Sequence, residues 1–546
     1  MLQDATCCRV LSRGFYSCNW RHQSEKKTKC ACCWLSVVAL VTVLSLCWIY
    51  ICLVSFNDRE DVNWKVFTIL KQWVNWFMVM VIISSMLSTY CILLLVFALI
   101  QVALREPLDL HRLHQILLFF GVLFITFGVI GITVAWRIAW STVLLSLQAT
   151  APFLQIGAVG ALTLLSWFIF QTLRRAHGAR AKILIVVIFV IFTAVIFLSP
   201  LIIDSPCLTE VDDLPPKPRL IGHRGAPMVS ISQALNWPPE NTMMSFNRSI
   251  ECNVATFETD IQLSKDRVPF LMHDSGSGFL LRTTNVTKVF PGQDFSHGTN
   301  LTWEELKGLN AGEWFLKADP FHSVSQLTEE QREMARGQTV PSLRQLLILA
   351  KQHNISVMFD LKSPAWTTNI VDTVRTILTS GIDQSLIFWL PPAKREYVTK
   401  TAPGFVQVYD DQVHMFNAGA NHLNVKYSSL HATEIRDLQR RNVSVNLWVV
   451  NERWLFSLLW CSGATSVTTN SCHLLQKVDW PDWVLPPGTY LIIWITVDLA
   501  SLLIMIGLFM CQRRRWCVRD KTGREKQRNE MTAWNQRELS PFLPSA

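Results

Sequence analysis

Six apolar segments, each long enough to cross a bilayer as a helix, constrain the fold of this 546-residue chain more than any other feature. The hydrocarbon core of a bilayer requires about 20 apolar residues in a helix. None of the segments carries a central series of charged residues, which argues against a transporter. The segments are approximately Trp34–Phe56, Trp76–Ile100, Ile116–Trp136, Phe153–Leu173, Ile183–Ile203 and Tyr490–Met510.

These segments divide the chain into five predicted regions. A globular region of about 280 residues, which is long enough to bury a full hydrophobic core, lies between the fifth and sixth segments. The predicted regions are an N-terminal tail at 1–33, five transmembrane helices within 34–203, a globular domain at 204–487, a sixth transmembrane helix at 488–511 and a basic C-terminal tail at 512–546.

The lysines and arginines predict the orientation of the chain. The formal charge is +9, but the basic residues gather in the two tails and in short loops beside apolar segments. This distribution argues against a nucleic-acid partner and is typical of cytosolic loops beside membrane spans, with the basic tails next to anionic membrane lipid. We predict a multi-pass protein of the secretory route, in the plasma membrane or endoplasmic reticulum, with cytosolic tails and an extracellular or luminal globular domain.

Glycosylation sequons test this orientation independently. All five Asn-X-Ser/Thr sequons fall in the region that is predicted to lie outside the cytosol, and none falls in the tails. The same region contains Cys207, Cys252, Cys461 and Cys472, so one or two disulfides are compatible with it. The predicted glycosylation sites are Asn247, Asn285, Asn300, Asn354 and Asn442.

Short runs rich in Val, Ile and Phe alternate with helical patterns in the globular region. This alternation is typical of a parallel α/β sheet. Eight runs favour a (β/α)8 TIM barrel, with an open doubly wound sheet as the alternative. The predicted fold is therefore a TIM-barrel catalytic domain inserted in an α-helical six-span membrane protein. The runs are Leu220–Gly225, Ala255–Leu263, Val268–Asp274, Ser356–Leu361, Leu386–Leu390, Val406–Tyr409, Val443–Val450 and Ser466–Thr469.

Three carboxylates at the ends of predicted strands indicate a cation site. Glu258 and Asp260 are two residues apart, so a strand places both on one face, and Asp360 comes from a neighbouring strand. Unpaired inward carboxylates would repel one another. One divalent cation, Mg²⁺ or Ca²⁺, suits such an all-oxygen site.

Histidines and cations accompany these carboxylates at other predicted strand ends. His223 and His273 come from separate strands, and an imidazole that titrates near neutrality can accept or donate a proton. Arg224 and Lys362 supply positive charge for an anionic phosphate. A phosphodiester is the substrate that best fits this set, and the sequence leaves open which histidine is the acid.

An ordered series of motifs resembles the glycerophosphodiester phosphodiesterase family, and the six-span layout resembles its mammalian multi-pass membrane branch. The similarity extends from about Leu220 to Leu475. The motifs are Gly-His-Arg-Gly-Ala-Pro (222–227), Pro-Glu-Asn-Thr (239–242), Phe-Glu-Thr-Asp (257–260), Val-Pro-Phe-Leu-Met-His-Asp (268–274), Arg-Thr-Thr-Asn (282–285), Met-Phe-Asp-Leu-Lys (358–362) and Asn-Leu-Trp-Val-Val-Asn (446–451).

The resemblance implies metal-dependent hydrolysis of a glycerophosphodiester, such as glycerophosphocholine or glycerophosphoinositol, to an alcohol and a glycerol phosphate. A lysophospholipid-type substrate is also compatible with the family. The implied site comprises the catalytic His223 and His273, the metal ligands Glu258, Asp260 and Asp360, the phosphate contacts Arg224 and Lys362, and the candidate pocket residues Glu240, Asn241 and Trp448.

Three departures from the family pattern keep a second hypothesis open. The loops at 229–237 and 275–281 are longer than usual and adjoin the predicted site. Arg267 stands at a turn where the family commonly has glycine, which costs about 1 kcal/mol if the turn requires positive φ. The alternative is a catalytically weakened barrel that binds a phosphodiester or a partner as a membrane signalling protein.

Overall fold

The chain forms a bundle of apolar helices that carries a single α/β barrel. The barrel is inserted between the N-terminal helices of the bundle and its last helix. The computed structural model describes residues 2–18, 20, 31–70, 74–104, 106, 108–135, 140–175, 178–227, 238–273, 277–292, 300–319, 324–362, 366–482 and 484–539.

Within the described ranges, six helical segments are long and apolar enough to cross a membrane, as the sequence predicts. They are Cys33–Asp58, Trp76–Leu104, Arg112–Val134, Trp140–Arg174, Ala179–Ile202 and Pro487–Arg514. The last helix continues past the predicted end of its span into the basic tail. The helices of this part are α1 (Leu2–Ser17), α2 (Ala31–Val54), α3 (Arg59–Leu70), α4 (Trp76–Leu104), α5 (Arg112–Ile130), α6 (Trp140–Arg175), α7 (Ala179–Leu198) and, after the barrel, α21 (Pro487–Leu539).

Eight parallel strands form the barrel. Hydrogen-bonded neighbours follow the order β6-β5-β4-β2-β1-β9-β8-β7, and a bridge from Tyr409 to Leu423 joins the two ends of this path. The predicted TIM barrel is confirmed. The strands are β1 (Arg219–His223), β2 (Thr256–Leu263), β3 (Pro269–Leu271), β4 (Ser356–Leu361), β5 (Ile387–Trp389), β6 (Val406–Gln407), β7 (His422–Lys426), β8 (Ser444–Trp448) and β9 (Ser466–Thr469), of which β3 lies outside the ring.

The core lies between the strands and the surrounding helices. Alternate residues of a strand face opposite sides, so Phe257 and Ile261 of β2 are fully buried against helices while Glu258 and Asp260 face inward. The helices are α8 (Met243–Glu251), α9 (Ser277–Thr283), α10 (Val286–Val289), α11 (Trp303–Lys307), α12 (Glu313–Ala318), α13 (Glu329–Arg336), α14 (Leu343–His353), α15 (Trp366–Ser380), α16 (Arg395–Thr401), α17 (Gln412–Asn417), α18 (Ala432–Arg440), α19 (Arg453–Ser462) and α20 (Cys472–Gln476).

One predicted barrel strand is wrong, and the sequence pattern misses another. The run Val268–Asp274 contains only the short strand β3, which pairs antiparallel with β2. The sixth strand of the ring is instead β7, which has polar residues at both ends and at its centre. Its central Asn424 accepts a hydrogen bond of 2.6 Å from Asn446 of β8 inside the barrel, so no apolar run marks this strand.

The β2–β3 turn has the strained geometry that its sequence predicts. Arg267 adopts φ 69°, a left-handed conformation that costs an L-residue on the order of 1 kcal/mol. Its side chain donates to Asp372 of α15, with Nε 2.8 Å from Oδ2. The arginine therefore ties this hairpin to a neighbouring helix, a contact that the family's usual glycine could not make.

Among the residues that the structure describes, two disulfides cross-link the barrel domain. Cys207, which follows the fifth span, pairs with Cys461 at the end of α19, and Cys252 pairs with Cys472 at the start of α20. The amide of Leu485 donates to the carbonyl of Cys207 at 3.0 Å. The chain therefore enters and leaves the barrel at adjacent points.

The carboxyl ends of strands β7 and β8 face the membrane bundle. Tyr427, which follows β7, donates to Asp58 with an oxygen–oxygen distance of 2.6 Å. Arg59 at the start of α3 forms an ion pair of 2.9 Å with Glu452, which follows β8. Active residues of TIM barrels lie at this end of the strands. The predicted site therefore opens toward the first membrane hairpin, which consists of α2, α4 and the connection between them that contains α3.

Candidate active site

His223 ends strand β1 and lies at the mouth of the barrel. The next three residues, Arg224, Gly225 and Ala226, all have positive φ, so the chain turns sharply after the histidine. A side chain at Gly225 would collide with Ser245 of α8, because a Cβ there would lie 2.2 Å from its hydroxyl. This tight turn fixes the backbone from which the imidazole projects.

The imidazole of His223 is held on one side and open on the other. Its Nδ1 lies 2.7 Å from Oδ1 of Asn470, which accepts its hydrogen, and its Nε2 lies 3.9 Å from Glu258. Burial, assisted by the adjacent Arg224, lowers the pKa of His223 to about 3. The ring is therefore neutral at pH 7, and Nε2 is the nitrogen that faces the centre of the site.

Glu258 and Asp260 project from β2 into the same pocket, as predicted from their spacing. Glu258 accepts the backbone hydrogen of Arg224 at 3.1 Å. Burial and the nearby Asp260 raise the pKa of Glu258. Burial alone would raise the pKa of Asp260 as well, but His273, Arg224 and Lys362 lower it, so Asp260 is ionised.

Asp360 and Lys362 come from the neighbouring strand β4. Asp360 is the direct register partner of Asp260 in the parallel β2–β4 pair. The ammonium of Lys362 lies 3.0 Å from Asp360 and 3.5 Å from Asp260, so it bridges the two carboxylates. Burial lowers the pKa of Lys362, but these two carboxylates more than offset that effect and raise it.

His273 reaches the site from the β2–β3 hairpin rather than from a strand of the ring. It lies two residues beyond the end of β3, and its Nε2 is 4.0 Å from Asp260. The ring of Phe279 in α9 packs beside it, with ring centres 5.5 Å apart. The two histidines therefore stand beside different carboxylates of β2.

A buried ion cluster on Glu240 supports Arg224. Glu240 accepts from Arg224 at 3.0 Å and also from Arg282, and both arginines stack on the ring of Phe279. Burial raises the pKa of Glu240, but the two arginines lower it overall. Arg282 belongs to the motif Arg-Thr-Thr-Asn (282–285), but the motif does not reveal its role, because its partner Glu240 is 42 residues away in the chain.

The other candidate pocket residues are Asn241, whose backbone amide donates to the carbonyl of Arg224 at 3.0 Å, and Trp448. Asn241 accepts a hydrogen bond from Thr259, which faces away from the barrel interior, and supports the first loop rather than the pocket. Trp448 is 39% exposed at the end of β8, so it is not a core aromatic. Residues 229–237 of the first enlarged loop lie outside the described part of the chain, and most of 275–281 forms the start of α9.

The carboxylate set fits a divalent cation by its chemistry. All three groups offer oxygen, and Oδ2 of Asp260 is buried without a hydrogen bond, although Arg224 Nε lies 3.4 Å away. Within the described residues, three metal-ligating atoms lie within 4.8 Å of one another in Cys252, Cys472 and His473 and not in the three carboxylates. The two cysteines of that group form a disulfide. The three carboxylates are therefore spaced more widely than this group, and Lys362 bridges two of them, Asp260 and Asp360.

Asn470 is, after Arg282, a second residue of the site that the sequence leaves without a role. It follows β9 in the sequence Thr-Thr-Asn-Ser. At the ends of other strands, polar residues led to the prediction of the site. It is buried, and its contact with His223 joins residues that are 247 positions apart. The same strand-end rule that selects His223 could have selected Asn470, but only the folded barrel pairs the two.

Comparison with known proteins gives one family and close relatives. A profile of the Glycerophosphoryl diester phosphodiesterase family matches residues 223–477. Glycerophosphoinositol inositolphosphodiesterase GDPD2 from Homo sapiens is 43% identical over 96% of this chain and 97% of its own length. Glycerophosphodiester phosphodiesterase domain-containing protein 5 from Gallus gallus is 38% identical over 92% of this chain and 84% of its own length.

The similarity to these relatives covers nearly the whole chain, including the part that forms the apolar helices here. Among the members of the branch, the sequence predicts the greatest likeness to Glycerophosphodiester phosphodiesterase domain-containing protein 4, whose form from Mus musculus is 33% identical over 93% of this chain and 86% of its own length. Identity is thus higher with the inositolphosphodiesterase than with that member. The predicted mammalian multi-pass branch is confirmed.

Proposed function

Because the chain belongs to the glycerophosphoryl diester phosphodiesterase family, and is an enzyme of that class, we propose that it hydrolyses glycerophosphodiesters by histidine acid–base catalysis at this site. Suitable substrates are glycerophosphoinositol and glycerophosphocholine. The observation that carries the proposal is the arrangement of His223 and His273. They approach from separate elements, and each directs Nε2 toward a different carboxylate of β2.

In the proposed mechanism, the two histidines act on opposite sides of the phosphorus. One accepts a proton from water or a substrate hydroxyl as the new P–O bond forms, and the other donates a proton to the alkoxide as the old P–O bond breaks. Arg224 and Lys362 orient the phosphate and balance its charge. A divalent cation, Mg²⁺ or Ca²⁺, held by Glu258, Asp260 and Asp360 would supply further positive charge. The family generally depends on such a cation.

Turnover by the full-length protein in liposomes tests this function. We expect hydrolysis of glycerophosphoinositol with Mg²⁺ or Ca²⁺ and its loss in EDTA. The assay should measure glycerol phosphate, inositol and inositol phosphate, because one relative is named an inositolphosphodiesterase. Substrate binding without any turnover, from a folded and glycosylated protein, would favour the alternative of a binding and signalling protein.

We also propose that both tails are cytosolic and that the barrel is extracellular or luminal. The excess of lysine and arginine in the tails supports this orientation. Two disulfides in the barrel support it independently, because disulfides persist in oxidising compartments. The basic tails would then lie against anionic lipid of the cytosolic leaflet.

The sequons give a direct test of this orientation. Asn247, Asn300, Asn354 and Asn442 are exposed on the barrel, whereas Asn285 is half-buried and accepts a hydrogen bond from Asn310. We expect glycans at the four exposed sites and little at Asn285. Removal of each exposed asparagine, as in Asn442→Gln, should abolish one step of a glycosidase-sensitive mobility shift on gels. A protein from mammalian cells that glycosidase leaves unshifted would contradict the proposed orientation.

A further inference from the structure

A line of buried asparagines connects the first membrane hairpin to His223. Asn470 accepts from Nδ1 of His223 at 2.7 Å, and the amide of Asn470 donates to Oδ1 of Asn451 at 2.9 Å. The amide of Asn451 in turn donates to Oδ1 of Asn57 at 2.8 Å. Asn57 lies between α2 and α3, so the line begins in the membrane part of the chain.

Asn57 is held against the barrel by more than this one bond. Its carboxamide nitrogen donates to the carbonyl of Val449 at 2.9 Å, and its own carbonyl accepts from the side chain of Asn451 at 3.3 Å. Asn57 is 2% exposed and Asn451 is 4% exposed. A buried polar group that loses its hydrogen-bond partner still carries the free-energy cost of desolvation. These contacts therefore strongly favour the arrangement in which Asn57 lies against the barrel.

The order of these hydrogen bonds shows which group each asparagine positions. Asn57 fixes the backbone and side chain of Asn451, and Asn451 fixes the backbone of Asn470. The side chain of Asn470 then orients the imidazole of His223, whose other nitrogen faces the carboxylate pocket. A shift at Asn57 would therefore move a proton-transfer group that it does not touch.

We propose that Asn57 is a positioning residue for His223, acting through Asn451 and Asn470, so that the membrane hairpin completes the active site of the barrel. The inference rests on the proposed catalytic role of His223. The neighbouring contacts of Asp58 with Tyr427 and of Arg59 with Glu452 seat the hairpin on the same face.

Asn63 in α3 provides a matched control for Asn57. It is also a buried asparagine of the first hairpin, at 4% exposure. Its side chain donates to Asn75 at 2.9 Å and accepts from the amide of Phe77 at 2.9 Å, both within the bundle. Asn63→Ala thus removes comparable hydrogen bonds from the hairpin and none from the line of asparagines.

The kinetic test uses the full-length protein in liposomes with glycerophosphoinositol. We expect Asn57→Ala to lower kcat roughly 10-fold while KM changes less than about twofold, because a displaced catalytic group slows the chemical step more than binding. Asn63→Ala should retain the kcat of the parent. An unchanged kcat in Asn57→Ala, or an equal loss in Asn63→Ala, would overturn the proposal.

A double-mutant cycle tests whether the effect passes through Asn470. Asn470→Ala alone should lower kcat, and adding Asn57→Ala to it should change kcat by less than about twofold, because both act on one histidine. Two independent losses that multiply would show that Asn57 acts by another route and would refute the inference.

Hydrogen exchange gives a readout that does not depend on turnover. The amides of Asn451 and Asn470 should exchange faster in Asn57→Ala than in the parent or in Asn63→Ala, because they lose their acceptors in sequence. An inactive parent protein would reject the proposed function alone. Unchanged protection of both amides in Asn57→Ala would reject the line of asparagines.

Discussion

Replacing His273 with alanine is expected to lower kcat for glycerophosphodiester hydrolysis by about 100-fold or more. A positioned acid–base group contributes roughly 10²–10⁴-fold, and His273 is one of the two imidazoles beside the carboxylates of β2. The fold should tolerate the change, because this side chain is partly exposed at the mouth. Initial rates in liposomes across a range of substrate concentrations would give kcat and KM separately.

The matched control is His414→Ala on helix α17. That histidine is largely exposed, and its ion-pair partner Asp411 is outside the site. The kcat of His414→Ala should equal that of the parent protein. Retention of more than about a tenth of the activity in His273→Ala would contradict its role, since a proton-transfer group contributes at least two orders of magnitude.

Asp260→Asn is expected to abolish most cation-dependent turnover. The amide keeps the size of the side chain but removes the charge that Arg224, Lys362 and His273 all face. Stabilisation of transition-state charge by a bound cation is worth several kcal/mol, so we expect a loss of about 100-fold or more. The Mg²⁺ or Ca²⁺ concentration for half-maximal activity should also rise.

Asp372→Asn provides the same chemical change at a site with a structural partner only. Asp372 lies on α15 and accepts from Arg267 of the β2–β3 turn. The activity of Asp372→Asn should remain near that of the parent, and its unfolding temperature should fall slightly. Full activity of Asp260→Asn at unchanged cation concentration would place the cation elsewhere, and the carboxylates of β2 would then need another role.

The sequence predicts the longer strands β2 and β4, and it misses the short strand β7, in which only Leu423 and Val425 are apolar. β2 and β4 are buried on their outer faces by side chains such as Phe257 and Phe359, which leave a recognisable pattern. β7 also buries Leu423 and Val425 in the core, but its inward Asn424 meets Asn446 inside the barrel. Hydropathy alone does not identify so short a strand, because the partner of its inward polar residue is known only once the barrel is closed.

The site shows the same division. Glu258 and Asp260 were predictable because two residues of one strand fix their relative positions, whatever the rest of the chain does. The roles of Arg282, Asn470 and Asn57 were not, because each depends on a side chain that is distant in sequence. Strand-end position identifies candidates, while the direction of each hydrogen bond requires the folded structure.

The adjacent entry and exit points of the barrel have a mechanical consequence. The backbone amide of Leu485 donates a hydrogen bond to Cys207, so the chain segments that enter and leave the barrel lie side by side. Together they act almost as a single hinge, about which the barrel could rotate. The contacts of Asn57 with Asn451 and of Arg59 with Glu452 provide a separate point of support, at the opposite end of helix α19 from Cys461. A body held at a hinge and at a second point away from it cannot rotate freely, so the barrel keeps a fixed orientation relative to the helical bundle.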